Sequence, residues 1–228
     1  MTVDVEQPSR RAAAELESAS AQEIVHWAVQ TFGSRFAVAS SMQDAVLVHL
    51  VSQVAAGVDV LFLDTGYHFA ETLGTRDAVA ATYNVNLITL TPRQTVAEQD
   101  TWHGPKLHDR DRDLCCALRK VAPLDRALAR YDAWASGLRR VEAPGRAGTP
   151  VVFYDAKRGK VKVAPIATWT DTDVEDYIAE HAVLVNPLRS ASYPSIGCAP
   201  CTRAVAIGDD PRAGRWAGSA KTECGMHA

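Results

Sequence analysis

The sequence lacks the features of membrane and exported proteins. No apolar run approaches the ~20 residues of a membrane-spanning helix, and the first residues do not show the basic and then apolar order of a secretory signal. We therefore expect a cytoplasmic protein that has no membrane partner.

A large excess of charge of one sign is also missing. The 24 lysines and arginines against 27 aspartates and glutamates give a net charge of −3. Sequence-independent nucleic-acid binding needs a basic surface, so no nucleic-acid partner is expected. The 228 residues, 47% hydrophobic and 22% charged, have the composition of a soluble globular protein with one large domain or at most two small ones.

Cysteines are few, and their number is odd. The five fall as Cys115-Cys116, as Cys198-Ala199-Pro200-Cys201 and as Cys224 alone. An odd number excludes complete internal pairing, and disulfides are disfavoured without an export signal. The two tight groups therefore indicate four metal ligands and one free thiol.

Zinc and an iron–sulfur cluster are the candidates for these four ligands. Directly adjacent cysteines cannot easily chelate one ion because their side chains diverge, whereas neighbouring thiolates can bind different irons of a cubane cluster. We therefore favour a [4Fe–4S] cluster on Cys115, Cys116, Cys198 and Cys201. Buried inert cysteines or a stress disulfide are the structural alternative. Lys120, on the same predicted helical segment, would offset the negative charge of a cluster, unless it is a solvated surface lysine.

Short apolar runs alternate with segments of helical periodicity, which predicts an α/β fold with an open, mostly parallel, twisted sheet. Strands are predicted over residues 36–40, 58–63, 85–90, 132–136, 151–154 and 161–163, the last two paired across a turn. Helices are predicted over 20–31, from about 43 to 54, over 69–83, around Cys115 up to a kink or an end at Pro123, and after a capping box at Thr172 and Glu175. We expect residues 1–18 to fray, residues 19–202 to form a single α/β domain, and residues 203–228 to form a flexible tail.

Two loops follow predicted strands, at the sheet edge where ligands bind in such folds. The loop Ser40-Ser41-Met42-Gln43-Asp44 offers hydroxyls and a helix N-terminus that suit a phosphate or sulfate, although for this loop taken alone an ordinary serine cap is the favoured interpretation. It lacks the Gly-Lys-Ser/Thr of a Walker A motif. The loop Leu63-Asp64-Thr65-Gly66 is either a second part of a nucleotide crevice or a simple turn.

The C-terminal segment combines a cysteine with basic residues. Cys224 stands in Glu223-Cys224-Gly225-Met226-His227, and Arg212 and Arg215 lie upstream. A thiolate is a strong nucleophile, and arginine side chains match sulfate or phosphate oxygens. The tail is therefore either a mobile nucleophile with anion-binding groups or a disordered end with an incidental cysteine.

The cysteine quartet, Leu63-Asp64-Thr65-Gly66 and the Glu-Cys-Gly-Met-His end together resemble the assimilatory sulfonucleotide reductases, and among them the iron–sulfur-containing adenosine 5′-phosphosulfate (APS) reductases. The resemblance covers about residue 20 to the C-terminus. It implies the adenine-nucleotide α-hydrolase fold of the PP-loop type. It also implies a thioredoxin-dependent reduction of APS to sulfite and AMP in cysteine biosynthesis, through an S-sulfonated Cys224.

The resemblance further implies the roles of individual residues. Cys224, Lys120 and His227 match catalytic positions, and the tail would close over the substrate. Substrate-binding positions are matched by Ser40, Ser41, Gln43, Asp44, Leu63, Asp64, Gly66, Arg139, Arg212 and Arg215.

Other functions remain open at this point. A reductase of 3′-phosphoadenosine 5′-phosphosulfate (PAPS), or a dual APS/PAPS reductase, would use the same chemistry, but PAPS enzymes usually lack the cysteine quartet. An RNA-thiolating enzyme would need an ATP-splitting loop, which is not visible. A nucleotide-binding iron–sulfur redox sensor would form no sulfite. The sequence is compatible with a homo-oligomer but does not specify one.

Overall fold

The computed structural model describes residues 6–219, 221, 223, 225 and 226, without the side chains of residues 6–8. Within these residues, six strands form one sheet in the order β3-β2-β1-β4-β6-β5. All neighbouring strands are parallel except the edge pair of β5 and β6. The strands are β1 (Phe36–Ser40), β2 (Val58–Leu63), β3 (Val85–Leu90), β4 (Ala133–Ser136), β5 (Val152–Asp155) and β6 (Lys160–Val163). The predicted α/β class with a mostly parallel sheet is therefore confirmed.

Helices cover both faces of this sheet. The α-helices are α1 (Glu6–Leu16), α2 (Ala21–Phe32), α3 (Val46–Val54), α4 (Ala70–Thr82), α5 (Val96–His103), α6 (Leu107–Arg110), α7 (Arg112–Cys116), α8 (Ala122–Leu128) and α9 (Asp171–His181). Short 3₁₀ turns lie at Gly33–Arg35, Arg140–Glu142, Pro144–Arg146, Pro187–Ala191 and Ala199–Cys201. In the part of the chain that is described, no helix combines the length and hydrophobicity needed to cross a membrane.

The core follows from the alternation of side chains along the strands. Val38 and Phe62 face one side of the sheet, where they join the apolar residues of α2 and α3. Ala37 and Trp134 face the other side and pack on Leu124 of α8. Because both faces are covered, the central strand β1 is a nearly continuous apolar run, which is why it could be located from the sequence.

The strand order reverses at β1, which lies between β2 and β4. Ala39 of β1 is in register with Ser136 of β4, so the loops after these two strands leave the same edge side by side. Ligands of open parallel sheets bind in the crevice at such a switch point. This edge is where the functional groups described below are found.

The N-terminal segment differs from the prediction of a frayed end over residues 1–18. Residues Glu6–Leu16 are a helix, and Ala12 is buried in the core with Leu16 against it. Arg140 donates to Glu17 at 2.6 Å just after the helix ends. An apolar pair four residues apart and one ion pair were too weak a pattern to recognise in an alanine-rich polar stretch. Residues 1–5 lie outside the described residues.

The start of α9 also differs from the prediction. The capping box is formed by Thr170 and Asp173: the Asp173 amide donates to Thr170 Oγ1 at 3.1 Å, and the Thr170 amide donates to Asp173 at 2.7 Å. The predicted box at Thr172 and Glu175 is wrong. Glu175 instead accepts a hydrogen bond from Arg189. The helix therefore begins two residues earlier, with an aspartate in place of the usual glutamate.

Pro123 neither ends nor interrupts the helical segment around the cysteines. A π-helical turn over Ala117–Val121 joins α7 to α8 directly, and Pro123 lies in the first turn of α8. Proline has no N–H to donate to the preceding turn, and the wider π turn accommodates it. The predicted kink is thus a local widening of one continuous helical segment.

An aromatic cluster between α3 and α9 contains a titratable pair. His49 Nδ1 lies 2.7 Å from the Tyr177 hydroxyl, and the rings of His49 and His181 are 5.2 Å apart. Burial, and then the neighbouring His181, lower the pKa of His49. The unfolded chain therefore takes up the proton first as the pH falls, and stability is lost below about pH 6.5, the ordinary value for histidine.

We expect His49→Gln to flatten the acid side of the stability profile, because glutamine does not titrate. The midpoint of urea unfolding, measured from pH 8 to about pH 5, should fall less steeply for this variant than for the unmodified chain. His26, exposed on α2, provides the control as His26→Gln. Equal slopes for all three proteins would contradict the prediction.

Candidate active site

The four clustered cysteines line one cavity, which we call the cysteine cavity. Cys115 and Cys116 come from the last turn of α7, and Cys198 and Cys201 flank the 3₁₀ turn Ala199–Cys201. All four are free thiols, three buried and Cys201 half-buried. Thr65 Oγ1 lies 3.2 Å from Cys198 Sγ, so the loop after β2 also reaches this cavity.

Basic side chains surround these thiols. Arg112, Arg119 and Lys120 line the same cavity. Burial, followed by the charges of the other three cysteines, raises the pKa of Cys115 to about 12. Burial and Cys198 also raise the pKa of Cys201, while Lys120, Arg112 and Arg215 oppose that rise. Without a metal the thiols hold their protons, and metal binding must release them.

The donor set fits a cluster better than a single ion. Within the residues that the structure describes, no three His, Cys, Asp or Glu side chains are arranged to hold one metal ion. A single tetrahedral ion requires its ligands to converge on one point, whereas an iron–sulfur cluster spreads four thiolates over four irons. Four thiols that line a common cavity are the donor set that a [4Fe–4S] cluster takes.

Arg119 fixes the loop after β2 against the cysteine cavity. The guanidinium donates to the Thr65 carbonyl and, at 3.0 Å, to Gln99 Oε1, and it lies over the ring of Tyr67. A Cβ on Gly66 would come within 3.0 Å of this guanidinium, and Gly66 has a φ of +73°. Only glycine meets both conditions without strain.

A larger, open cleft lies beside the cysteine cavity, and we call it the tail cavity. Its walls come from residues within 138–153 and within 210–223. It encloses about 1720 Å³, solvent at its mouth included, against about 350 Å³ for the cysteine cavity. Trp216 lines both cavities and forms the wall between them. The tail cavity is large enough for a nucleotide.

Arg212 and Arg215 both line the tail cavity. Arg215 donates to Ser195 Oγ at 3.2 Å and to the Ile196 carbonyl at 3.3 Å, and it lies over the ring of Trp216. Arg212 lies 3.6 Å from Glu223. A Cβ on Gly197 would come within 2.5 Å of the Arg215 guanidinium, so this glycine makes room for the arginine.

Arg139 lies apart from both cavities. It pairs with Asp171 at 2.8 Å and more distantly with Glu142, and its Nη1 atom is buried without a hydrogen-bond partner. One guanidinium N–H of Arg139 is thus left for a further acceptor at the edge where β4 ends.

The loop after β1 uses much of its hydrogen bonding internally. Ser40 Oγ accepts from the Met42 amide at 3.4 Å, and Gln43 Oε1 accepts from the Ile196 amide at 2.9 Å. Asp44 Oδ1 accepts from the Val46 amide at 3.2 Å, so a carboxylate already caps α3. Burial raises the pKa of Asp44, and the nearby guanidinium groups oppose that rise. Ser41 is exposed.

The loop after β2 is a tight turn. Asp64 Oδ1 accepts from the Gly66 amide at 3.0 Å, and the Leu63 carbonyl accepts from His68 Nε2 at 2.7 Å. Thr65 of this loop lines the cysteine cavity. The predicted nucleotide-binding residues that line neither of the two cavities are Ser40, Ser41, Gln43, Asp44, Leu63, Asp64, Gly66 and Arg139.

The C-terminal tail folds back over both cavities. The amide of Arg203 donates to the Gly214 carbonyl at 2.9 Å, which closes the chain after Cys201 into a loop. Further on, Glu223 lines the tail cavity and Met226 packs near Cys116 and Trp216. The predicted catalytic residues Cys224 and His227 lie outside the described residues.

A sequence model of the phosphoadenosine phosphosulfate reductase domain matches residues 35–204, which are 170 of the 228 residues. This range contains the whole sheet and all four clustered cysteines. The chain belongs to this family.

Individual members of the phosphoadenosine phosphosulfate reductase family are similar over most of their length. A protein of Streptomyces coelicolor named adenosine 5′-phosphosulfate reductase is 64% identical, with 99% of this chain and 96% of that protein covered. The crystal structure of a PAPS reductase from Candida auris, a phosphate complex, has a TM-score of 0.74 at 30% identity, with 84% of this chain and 94% of that chain covered.

A more distant neighbour supports the fold alone. The FMN adenylyltransferase of Candida glabrata, in complex with FAD and pyrophosphate, has a TM-score of 0.56 at 11% identity, with 84% of this chain and 62% of that chain covered. Together with the PAPS reductase, it confirms the expected adenine-nucleotide α-hydrolase type of fold. The predicted membership in the sulfonucleotide reductases is confirmed as well.

The structure of this family member adds residues that the sequence did not reveal. Arg119 and Arg112 line the cysteine cavity, Trp216 separates the two cavities, and Arg146 and Arg158 contact the tail. No local pattern distinguishes these arginines from solvated ones. The contacts of Arg119 with Thr65, of Arg158 with Met226 and of Arg146 with Glu223 span 54 to 77 residues of sequence. A rule that arginines near paired cysteines neutralise thiolates would have found Arg112 and Arg119.

Proposed function

We propose that the protein reduces APS to sulfite and AMP with thioredoxin as the electron donor, as a cytoplasmic enzyme of sulfate assimilation. The observation that carries this proposal is the pair of adjoining cavities. One is lined by four cysteines, and the other is basic, large enough for a nucleotide and bordered by the residue that precedes Cys224. The chain is 64% identical to a protein named for this activity.

The reaction proceeds in two successive exchanges, the first at the sulfur of APS and the second at the sulfur of Cys224. The Cys224 thiolate attacks the sulfur of APS, the bond from that sulfur to the AMP phosphate oxygen breaks, and AMP leaves. Cys224 then carries an S-sulfonate. A thioredoxin thiolate attacks the Cys224 sulfur, sulfite leaves with the electron pair of the S–S bond, and the second thioredoxin thiol resolves the mixed disulfide. Overall, APS and two thiols give sulfite, AMP and one disulfide.

The residues around the cavities bind and orient the anionic substrate. Arg212 and Arg215 line the tail cavity and would meet the phosphate and sulfuryl oxygens. Arg139, outside this cavity, would reach the substrate only if the nucleotide extends to the edge where β4 ends. The hydroxyls and amides of the loops after β1 and β2 would hold the nucleotide at the switch point. Lys120 lines the cysteine cavity. Its positive charge there would offset the negative charge of the metal site and of the substrate.

Four thiolates, from Cys115, Cys116, Cys198 and Cys201, would hold a [4Fe–4S] cluster. When bound, the cluster supplies a fixed negative charge and a covalent link between the helical segment of Cys115 and the loop of Cys198. Each step of the thiol exchange moves an electron pair, so the chain's own residues need no one-electron partner. We expect no stoichiometric oxidation of the cluster during turnover, which electron paramagnetic resonance would detect.

A comparison of substrates tests the proposal. The anaerobically purified protein, supplied with thioredoxin and either APS or PAPS, is assayed for sulfite. We expect sulfite from APS and a kcat/KM at least about tenfold lower for PAPS, since a pocket that does not pair the extra phosphate leaves it unsatisfied. A preference for PAPS would favour the other sulfonucleotide reductase activity. The absence of sulfite from both substrates would refute the proposal and favour a nucleotide-binding sensor.

A further inference from the structure

The residue before Cys224 is held by a buried arginine. Arg146 Nε donates to Glu223 Oε1 at 2.7 Å, and Arg146 Nη2 donates to Glu223 Oε2 at 2.8 Å. The Arg146 side chain is only 11% exposed, and that of Glu223 is 27% exposed. A bidentate arginine–carboxylate pair of this kind fixes both the position and the orientation of the carboxylate.

Arg146 is itself fixed by the turn that carries it. It ends the 3₁₀ turn Pro144–Arg146, and its Nη1 donates to Glu142. Glu142 in turn accepts from the Arg139 amide at 3.2 Å. The guanidinium therefore bridges the segment after β4 to the tail, with carboxylates on both sides.

The residue two positions after Cys224 is held at a second point. Arg158 Nη1 donates to the Met226 carbonyl at 3.3 Å, and the Met226 side chain packs beside Trp134 and Cys116. Arg158 is 5% exposed and is oriented by ion pairs at 2.7 Å to Asp125 and at 2.9 Å to Asp155. Arg158 is therefore held in place by α8 and by the end of β5, and it in turn holds the backbone of Met226.

The two contacts lie on either side of Cys224 in the sequence. Glu223 and Met226 are three residues apart, so their Cα atoms are separated by at most about 11 Å of chain. We propose that Arg146 and Arg158 are positioning residues that hold the chain on both sides of Cys224, and that this two-point attachment speeds the attack of Cys224 on the substrate. The inference rests on the proposed function, because it assigns Cys224 the role of nucleophile.

The attachment of Glu223 and Met226 should raise the rate of the first exchange, in which Cys224 attacks APS. A nucleophile on a loose tail samples many positions, whereas an attached one loses this conformational entropy on folding, before the substrate reacts. A misplacement of about 1 Å costs up to about 100-fold in rate. Loss of Arg146 should therefore slow the formation of the S-sulfonate by a larger factor than it weakens AMP binding. Substrate-binding arginines would behave in the opposite way, since their loss weakens AMP binding.

The test uses the full-length, cluster-containing protein and the variants Arg146→Met, Arg146→Lys, Glu223→Gln and Arg146→Met/Glu223→Gln. Arg35→Met is the matched control, because Arg35 forms a bidentate pair with Asp132 at the opposite edge of the sheet. Three quantities are measured: the single-turnover rate of Cys224 S-sulfonation by APS, the affinity for AMP, and hydrogen exchange of residues 217–228. Iron content and circular dichroism verify that each variant is folded.

We expect Arg146→Met and Glu223→Gln each to slow S-sulfonation by between about 10- and 100-fold and to speed exchange in the tail. The double variant should be no slower than the slower single variant, because both residues belong to one contact. Arg146→Lys should recover part of the rate, and Arg35→Met should match the unmodified protein.

Three results would overturn the inference: tail exchange in Arg146→Met equal to that of the unmodified protein, an unchanged S-sulfonation rate, or losses that multiply in the double variant. Multiplied losses would assign Arg146 a direct contact with substrate. A failure of the proposed function is distinguishable, because the unmodified protein would then form no S-sulfonate, while hydrogen exchange would still report whether Arg146 holds the tail.

Discussion

Cys224→Ser is expected to abolish the formation of sulfite from APS, with a loss of at least about 10³-fold in kcat. A serine hydroxyl is not ionised near neutral pH, and it cannot provide the sulfur atom from which sulfite leaves in the second exchange. The measurement is sulfite release under anaerobic conditions with thioredoxin, together with mass spectrometry of the S-sulfonated tail peptide.

Two controls separate chemistry from binding in this experiment. The Cys224→Ser protein should retain its iron content, because the four clustered cysteines are unchanged, and it should bind AMP as the unmodified protein does. Residual sulfite at more than a few per cent of the original rate would show that Cys224 is not the nucleophile. Such a result would leave the fold and the family untouched.

Cys201→Ser is expected to remove the cluster. A serine is a poor ligand for iron, and the remaining three thiols cannot complete a four-iron site. Iron and sulfide per chain, and the visible absorbance of the anaerobically purified protein, should fall by about tenfold or more. Sulfite formation should fall with them, since Arg112, Lys120 and Arg215 near Cys201 would lose the charge that orders them.

Ala199→Ser is the matched control for the cluster experiment. It lies in the same 3₁₀ turn and also introduces a hydroxyl, but it keeps all four thiols. It should retain iron and activity. Full iron content in Cys201→Ser would contradict the assignment of this cysteine, and iron loss in both variants would show only that the turn is sensitive to substitution.

The fold could be predicted from the sequence where single elements are nearly independent of their surroundings. Strands β1, β2 and β3 are short, mostly apolar runs, and their bounds agree with the prediction. The start of α9 was misplaced by two residues, because Thr170 and Thr172 offer overlapping capping patterns and the choice depends on Glu175 being occupied by Arg189. A local sequence pattern cannot show which of the two threonines caps the helix, because the choice depends on a contact with a distant residue.

The part of the candidate site that could be predicted is the part built from a rare residue type, the clustered cysteines. Four cysteines in two tight groups indicated a metal site, and the structure brings them to one cavity. The contacts of Arg119 with Thr65 and of Arg146 with Glu223 span 54 and 77 residues of sequence. Because these contacts depend on the three-dimensional fold, no spacing in the sequence predicts them. At the start of α3, Asp44 Oδ1 accepts from the Val46 amide, a contact that the sequence pattern does not specify.

The π turn over Ala117–Val121 allows one rod-like segment to present two different faces. Upstream of it, Cys115 and Cys116 point into the cysteine cavity, and downstream of it Leu124 and Leu128 are buried against the sheet. A regular α-helix turns by about 100° per residue, so removing the extra residue would rotate one half relative to the other by about that angle. The metal ligands and the core contacts of this segment could not then both be satisfied. The π turn thus sets the rotation between the half of the segment that carries the cysteines and the half that packs on the sheet.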